Sequence, residues 1–174
     1  MQAGLQTVQW NLGVNNMDKN SLAYSDIVFD AKPDAVPYNY RISYKVTQLC
    51  LIMRLCGRGN VCSLIKLHMI SFALISRDNM QKLIEFTEGK SSAPIVRFDP
   101  AVNRALTYAV AYGLINSQQN AKYKLSARGH QLTEQILISG DLMVFEINEL
   151  NSLSKKLTET KINEIVNTWR KRYA

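Results

Sequence analysis

The order of secondary-structure signals in the second half of the chain constrains the fold more than any other feature. Asp99 can cap a helix whose first position is Pro100, and Gly113 stands where that helix should end. Residues 114–125 then have the pattern of a β-hairpin with a polar turn, and Ser126 can cap a further helix. A helix, a hairpin and a second helix in this order are typical of the last part of a winged-helix domain.

Most of the remaining sequence has the pattern of helix. Apolar residues recur at helical spacing over 44–56 and about 62–75, and the second segment is apolar on almost every side, so we expect it in the centre of the core. Asp78 can cap a short third helix, and residues 95–98 resemble a short strand. The C-terminal residues fit two helices that break near Leu157. The sequence therefore predicts a mainly α fold with a small β-hairpin.

The chain divides into three predicted regions. The first part shows little periodicity but contains several large apolar side chains, which indicates an extended arm that packs on its own domain or on a partner subunit. Prolines and polar residues over 32–37 mark its boundary. We predict an extended arm at 1–40, a winged-helix-like domain at 41–140 and a C-terminal helical extension at 141–174.

The formal charge of +7 is concentrated in the middle of the chain. Residues 41–130 contain 13 Lys and Arg against four Asp and Glu, whereas residues 1–40 are slightly acidic and 131–174 are neutral. Such a distribution favours a localised basic surface, which would bind phosphates or an acidic partner, over charge that only increases solubility.

Neither a membrane span nor a secretory signal is expected. The apolar stretch over 64–75 is short and is interrupted by Lys66 and His68, and the N-terminus has no basic flank followed by an apolar run. The three cysteines are an odd number at wide spacing, which is typical of reduced thiols. The sequence therefore predicts a cytoplasmic protein with no membrane partner.

Two groups of residues are candidates for contact with nucleic acid. The first comprises the helix before the hairpin and the hairpin itself, and the second surrounds the junction of the first two helices. Their side chains can bind phosphates, and Asn and Arg can also read base edges. The first group is Arg97, Asn103, Arg104, Lys122 and Lys124, and the second is Arg54, Arg58 and Lys66. The helix before the hairpin also carries many alanines, as helices that pack on protein do, so protein docking remains an alternative to base reading and to phosphate contact.

A zinc site is the other binding site that the sequence raises. Cys50, Cys56, Cys62 and His68 follow one another at intervals of six residues. Structural zinc sites use closer pairs of ligands, and residues six apart on a helix lie on different sides. We therefore predict no metal and interpret His68 as a core histidine.

Catalytic motifs are weak throughout the chain. The glycines of the Arg54–Asn60 loop do not have the spacing of a nucleotide-hydrolysing loop, and no serine or cysteine has the context of a nucleophile. His130 lies near the start of a helix without a partner motif. The sequence predicts no enzyme activity, no catalytic residue and no cofactor.

Three segments, residues 41–70, 97–106 and 123–130, resemble the small middle components of ABC three-component systems. These include the small subunit of Lamassu-type anti-phage defence complexes, and the resemblance covers roughly residues 41–140. It implies a non-enzymatic accessory subunit that binds an SMC-like ATPase with a coiled-coil arm. A third, effector subunit would carry the destructive activity. The chain would contact DNA as part of the complex. The family has no catalytic motif to transfer to this chain.

One alternative function remains open at this point. A winged-helix domain with a basic face can also be a free-standing DNA-binding transcription regulator, in which the helix before the hairpin reads bases in the major groove.

Overall fold

The computed structural model describes residues 41–91 and 97–173, with the side chains of the last helix described as far as Asn167. The predicted arm at 1–40 and the first two residues of the predicted strand at 95–98 lie outside these ranges. The elements in chain order are α1 (Ile42–Cys56), β1 (Val61–Ser63), α2 (Leu64–Ala73), α3 (Arg77–Thr87), α4 (Pro100–Ala111), β2 (Ile115–Gln118), β3 (Lys122–Leu125), α5 (Ala127–Ser139), α6 (Val144–Leu153) and α7 (Glu159–Tyr173). The fold is mainly helical with one small antiparallel sheet, as the sequence predicts.

Helices α1 and α2 form the centre of the core. An unbroken run from Leu49 to Met53 is buried in α1, because α2, α4, α5, α6 and β3 all contact this helix. The buried run in α2 extends from Lys66 to Ser71, in agreement with the central position predicted for it. Burial on all sides explains why both segments lack a polar face.

The sheet has the strand order β1-β3-β2, so β3 is the central strand. The predicted hairpin is confirmed: β2 and β3 are antiparallel, and Gln118 pairs with Lys122 at the turn end. Strand β1 is a correction, because its residues were predicted to begin a helix. Cys62 instead pairs with Tyr123, and Ser63 ends the strand and caps α2 by accepting a hydrogen bond from the Lys66 backbone N–H at 3.2 Å.

The caps predicted around the hairpin are confirmed. The Asp99 side chain accepts from the Ala101 N–H at 2.9 Å, and Ser126 accepts from the Gly129 N–H at 3.0 Å. Gly113 has a φ of +69°, the left-handed conformation that turns the chain from α4 into the hairpin.

Two local predictions are wrong. Ser76, and not Asp78, caps α3 by accepting from the Asn79 N–H at 3.2 Å, which leaves Asp78 in the first turn. Arg97 and Phe98, the described part of the predicted strand, belong to no strand.

The C-terminal helices complete the same core that α1 and α2 begin. Leu150, Leu153, Leu157 and Ile162 are buried against it, and α6 contacts both α1 and α3. Residues 141–167 therefore form part of the body of the protein and are not an appendage to it.

Candidate nucleic-acid interface

Two lysines of β3 occupy the middle of one face of the sheet. In an antiparallel sheet, residues directly opposite one another share a face, and successive residues of a strand alternate between faces. Lys122 and Lys124 therefore lie on one face, whereas Tyr123 and Leu125 lie on the face that packs against the core. We call the first of these the sheet face; it consists of Val61, Ser63, Asn116, Gln118, Lys122 and Lys124.

The lysines of the sheet face are exposed and available for ligands. Within the described part of the chain, neither Lys122 nor Lys124 has a side-chain hydrogen bond or a carboxylate within ion-pair distance. Asn116 and Gln118 are exposed beside them. This arrangement of two ammonium groups and two amides on two paired strands can bind consecutive phosphates of a nucleic-acid backbone.

The exposed side of α4 has a different chemistry. We call it the α4 outer face; it consists of Asn103, Arg104, Thr107, Tyr108 and the capping residue Tyr112. Arg104 is its single cation, and the rings of Tyr108 and Tyr112 stack at 6.5 Å between centroids with 46% and 61% of their surfaces exposed. Exposed aromatic rings of this kind are enriched in protein interfaces.

His68 holds the start of α4 against α2. Its Nδ1 accepts from the Asp99 backbone N–H at 3.3 Å, and its Nε2 lies 3.0 Å from the Asn103 Oδ1, which accepts from it. Burial lowers the pKa of His68, and the hydrogen bond to Asn103 and the charge of Asp99 oppose this shift only in part. The neutral imidazole with a proton on Nε2 satisfies both contacts, as a core histidine should. The Oδ1 of Asn103 is therefore engaged by His68, although the residue is also exposed to solvent.

Arg54 and Arg97 lie apart from the sheet face. The Arg54 guanidinium is 3.3 Å from the Glu134 carboxylate of α5, an ion pair on the protein surface. Arg97 lines a cleft of about 370 Å³ together with Lys45, Phe98 and Asp99. The eight predicted residues therefore do not form one continuous site.

Lys66 requires a correction, because it is only 2% exposed and is not part of the open surface of the protein. Its Nζ donates to the carbonyl of Cys56, the last residue of α1, at 2.9 Å. Lys66 nevertheless lines a cavity of about 260 Å³ together with Arg58 and Lys122. We call it the cation cavity; it consists of Arg58, Val61, Lys66, Lys122, Thr158 and Glu159.

No pattern in the sequence predicted that α7 would lie beside these cations. Thr158 caps α7 by accepting from the Lys161 N–H at 3.3 Å, and the Glu159 carboxylate accepts from the Ser63 N–H at 3.1 Å. The threonine followed by a glutamate is a helix-start signal that could have been found, but the contact across almost a hundred residues could not.

A second buried lysine was also missed. Lys45 is 5% exposed, and its Nζ lies 3.3 Å from both the Gln48 Oε1 and the Ser71 Oγ, and 3.8 Å from the Asp99 carboxylate. Burial lowers the pKa of Lys45, and the charge of Asp99 opposes this shift. A lysine within an apolar helical run is the signal that could have suggested a buried polar cluster.

The cysteines and His68 do not assemble into a metal site. Burial raises the pKa of each thiol to about 12, so all three are protonated and unreactive at neutral pH. Across residues 41–91 and 97–173, no three His, Cys, Asp or Glu side chains lie close enough to hold one ion. No helix in the same ranges is long and apolar enough to cross a bilayer.

Comparison with known protein families, with curated proteins and with solved structures finds no match to this chain.

Proposed function

We propose that this protein is a winged-helix accessory subunit, without enzyme activity of its own, of an SMC-like ATPase complex in Lamassu-type anti-phage defence. In this proposal it binds the ATPase and contributes a DNA-contacting surface, and the effector subunit carries the destructive chemistry. The resemblance over residues 41–140 supports the family, and the geometry described above supports the division of labour between two surfaces.

The observation that carries the winged-helix assignment is the strand order β1-β3-β2 with α4 directly before the hairpin. A winged helix closes its helices with a hairpin whose second strand pairs with a strand that follows the first helix. Strand β1 follows α1 and pairs with β3, and this pairing supports the proposed assignment. The chain departs from the simplest pattern because three helices, and not two, separate β1 from β2.

The sheet face is the DNA-contacting part of the proposal. Lys122 and Lys124 project from the central strand and have no described ion pair, so that neutralising phosphates costs no existing ion pair. Contacts of this kind depend on backbone charge and not on sequence. DNA binding should therefore be nonspecific and sensitive to salt.

The α4 outer face is the ATPase-binding part. It offers one cation against two stacked tyrosines, a composition that suits a protein interface better than a DNA groove. In a base-reading winged helix the same position would carry several Arg, Asn or Gln side chains.

Co-expression tests the proposal as a whole. The chain is produced together with the proteins encoded beside its gene, and the purified complex is examined for an ATPase with a long coiled coil. We expect a stable complex that survives size-exclusion chromatography. Recovery of the chain as a monomer while such an ATPase is present and folded would contradict the proposal.

The transcription-regulator alternative is tested by footprinting on the promoter of the chain's own gene. A sequence-specific footprint that Arg104→Ala abolishes would favour the alternative, because Arg104 is the single cation of the α4 outer face.

A further inference from the structure

We infer that the cation cavity is a binding site for a phosphate group. This inference does not depend on the proposed function, because a free phosphate could occupy the cavity whether or not the sheet face meets DNA. Three cations, Arg58, Lys66 and Lys122, line the cavity against one carboxylate, Glu159.

The buried ammonium of Lys66 is the observation that points to an anion. At 2% exposure it has almost no access to bulk water, and among the described residues its Nζ has one hydrogen-bond acceptor, the Cys56 carbonyl. That carbonyl ends α1 and carries part of the negative end of the helix dipole, so it stabilises the charge in part. Two of the three N–H groups of the Lys66 ammonium have no described acceptor and remain for a ligand, and a buried ammonium needs a counter-ion.

The other groups of the cavity suit an oxyanion. Arg58 and Lys122 are exposed at its margin and have no described ion pair, and α7 begins at its wall, where backbone N–H groups favour negative charge. The Glu159 carboxylate is already engaged by the Ser63 N–H. The net charge of the lining remains positive.

The size of the cavity fits a phosphate group. A water molecule takes about 30 Å³ of liquid volume, so the cavity of about 260 Å³ has room for the five heavy atoms of a phosphate ion and for bridging water. The chemical class of ligand is thus a phosphate oxyanion, either free inorganic phosphate or a phosphodiester of a nucleic-acid backbone.

Calorimetric titration of the full chain with inorganic phosphate, at matched ionic strength in chloride, tests the site. We expect saturable binding that weakens about tenfold in Arg58→Gln and in Lys122→Gln, since each change removes one charge-assisted contact. Both residues are exposed, so both variants should fold. Lys82→Gln is the matched comparison, because it makes the same change at another exposed lysine, on α3 and outside both the cavity and the sheet face; its phosphate affinity should stay within about twofold of the unmodified chain.

Absence of saturable binding would overturn the inference, and so would an equal loss in Lys82→Gln, which would indicate a diffuse charge effect. The source of the phosphate is decided by competition. If duplex DNA displaces the bound phosphate, the site takes a backbone phosphodiester; if phosphate binds and DNA leaves it in place, the site takes free phosphate. DNA binding that fails while phosphate binding persists would contradict the proposed function and leave this site supported.

Discussion

The sheet face and the α4 outer face both carry residues predicted to contact nucleic acid, yet the two faces differ in charge and in the hydrogen-bond partners of their side chains. The lysines of the sheet face stand on the central strand of a sheet and have no described partner, whereas Asn103 of the α4 outer face accepts a hydrogen bond from His68. Two stacked tyrosines take the place that cations would occupy on a DNA-reading helix. The difference teaches that, within one small domain, the strand presents charge with no described partner and the helix presents aromatic surface, which is the basis for our proposal that they bind different partners.

The packing of α5 against the hairpin, which supports the sheet face, can be disrupted by a substitution at Gly129. A Cβ at this position would lie 2.3 Å from the Leu114 carbonyl, just before β2, and 2.6 Å from the Leu125 side chain of β3, so Gly129→Ala forces α5 away from the base of the hairpin. We expect the free energy of unfolding to fall by about 3 kcal/mol, measured by urea denaturation. Gln131→Ala, an exposed change in the same helix, is the control and should stay within about 0.5 kcal/mol. A Gly129→Ala protein as stable as the control would show that the hairpin is not packed as described.

The proposed role of the α4 outer face in binding the ATPase is tested with the double variant Tyr108→Ala, Tyr112→Ala, which lacks both aromatic rings. Aromatic side chains at the centre of an interface are worth about 2 kcal/mol or more, so we expect affinity for the ATPase to fall by about thirtyfold. Both rings are exposed, so thermal stability should change little. Calorimetry against the purified ATPase measures the affinity, and differential scanning fluorimetry measures the thermal stability. Unchanged affinity would show that the α4 outer face does not bind the ATPase.

A change of pH should have a smaller effect on the stability of the fold, and this effect acts through His68. Its pKa is lower in the folded protein than in the unfolded chain, so the unfolded state takes up the proton first as pH falls. The contribution to stability is fully present above the unfolded pKa of about 6.5 and declines as pH drops below it, because protonation of Nδ1 removes the acceptor for the Asp99 N–H.

The measurement is the free energy of unfolding of the unmodified chain and of His68→Gln across this range. We expect the unmodified chain to lose more stability than the variant on acidification. Parallel curves would show that His68 does not link α2 to α4 in the way its contacts indicate.

Sequence reasoning succeeded where a local signal defines an element. Asp99 with Pro100, and Ser126, fix the starts of two helices through their own side chains, and the hairpin between them follows from its turn. Strand β1 was missed because three residues have no strand signal of their own; the strand exists through its pairing with β3, about sixty residues away.

The candidate site shows the same division. Lys122 and Lys124 were identified because they lie in the predicted hairpin and can bind phosphates. The burial of Lys66 could not be predicted, since it depends on α1, β3 and α7 meeting around it. Positive charge in the sequence indicated an anion-binding surface, and the structure divides that charge between an open face and a cavity.

The salt dependence of DNA binding tests the central claim most directly. Fluorescence anisotropy with a labelled duplex gives the slope of log affinity against log salt for the unmodified chain, for Lys122→Gln combined with Lys124→Gln, and for Arg104→Ala. Each phosphate contact contributes about 0.9 to this slope, so the double variant should lose about 1.8 while Arg104→Ala leaves the slope essentially unchanged. A slope that Arg104→Ala lowers as much as the double variant does, or binding that does not respond to salt, would contradict the assignment of DNA to the sheet face.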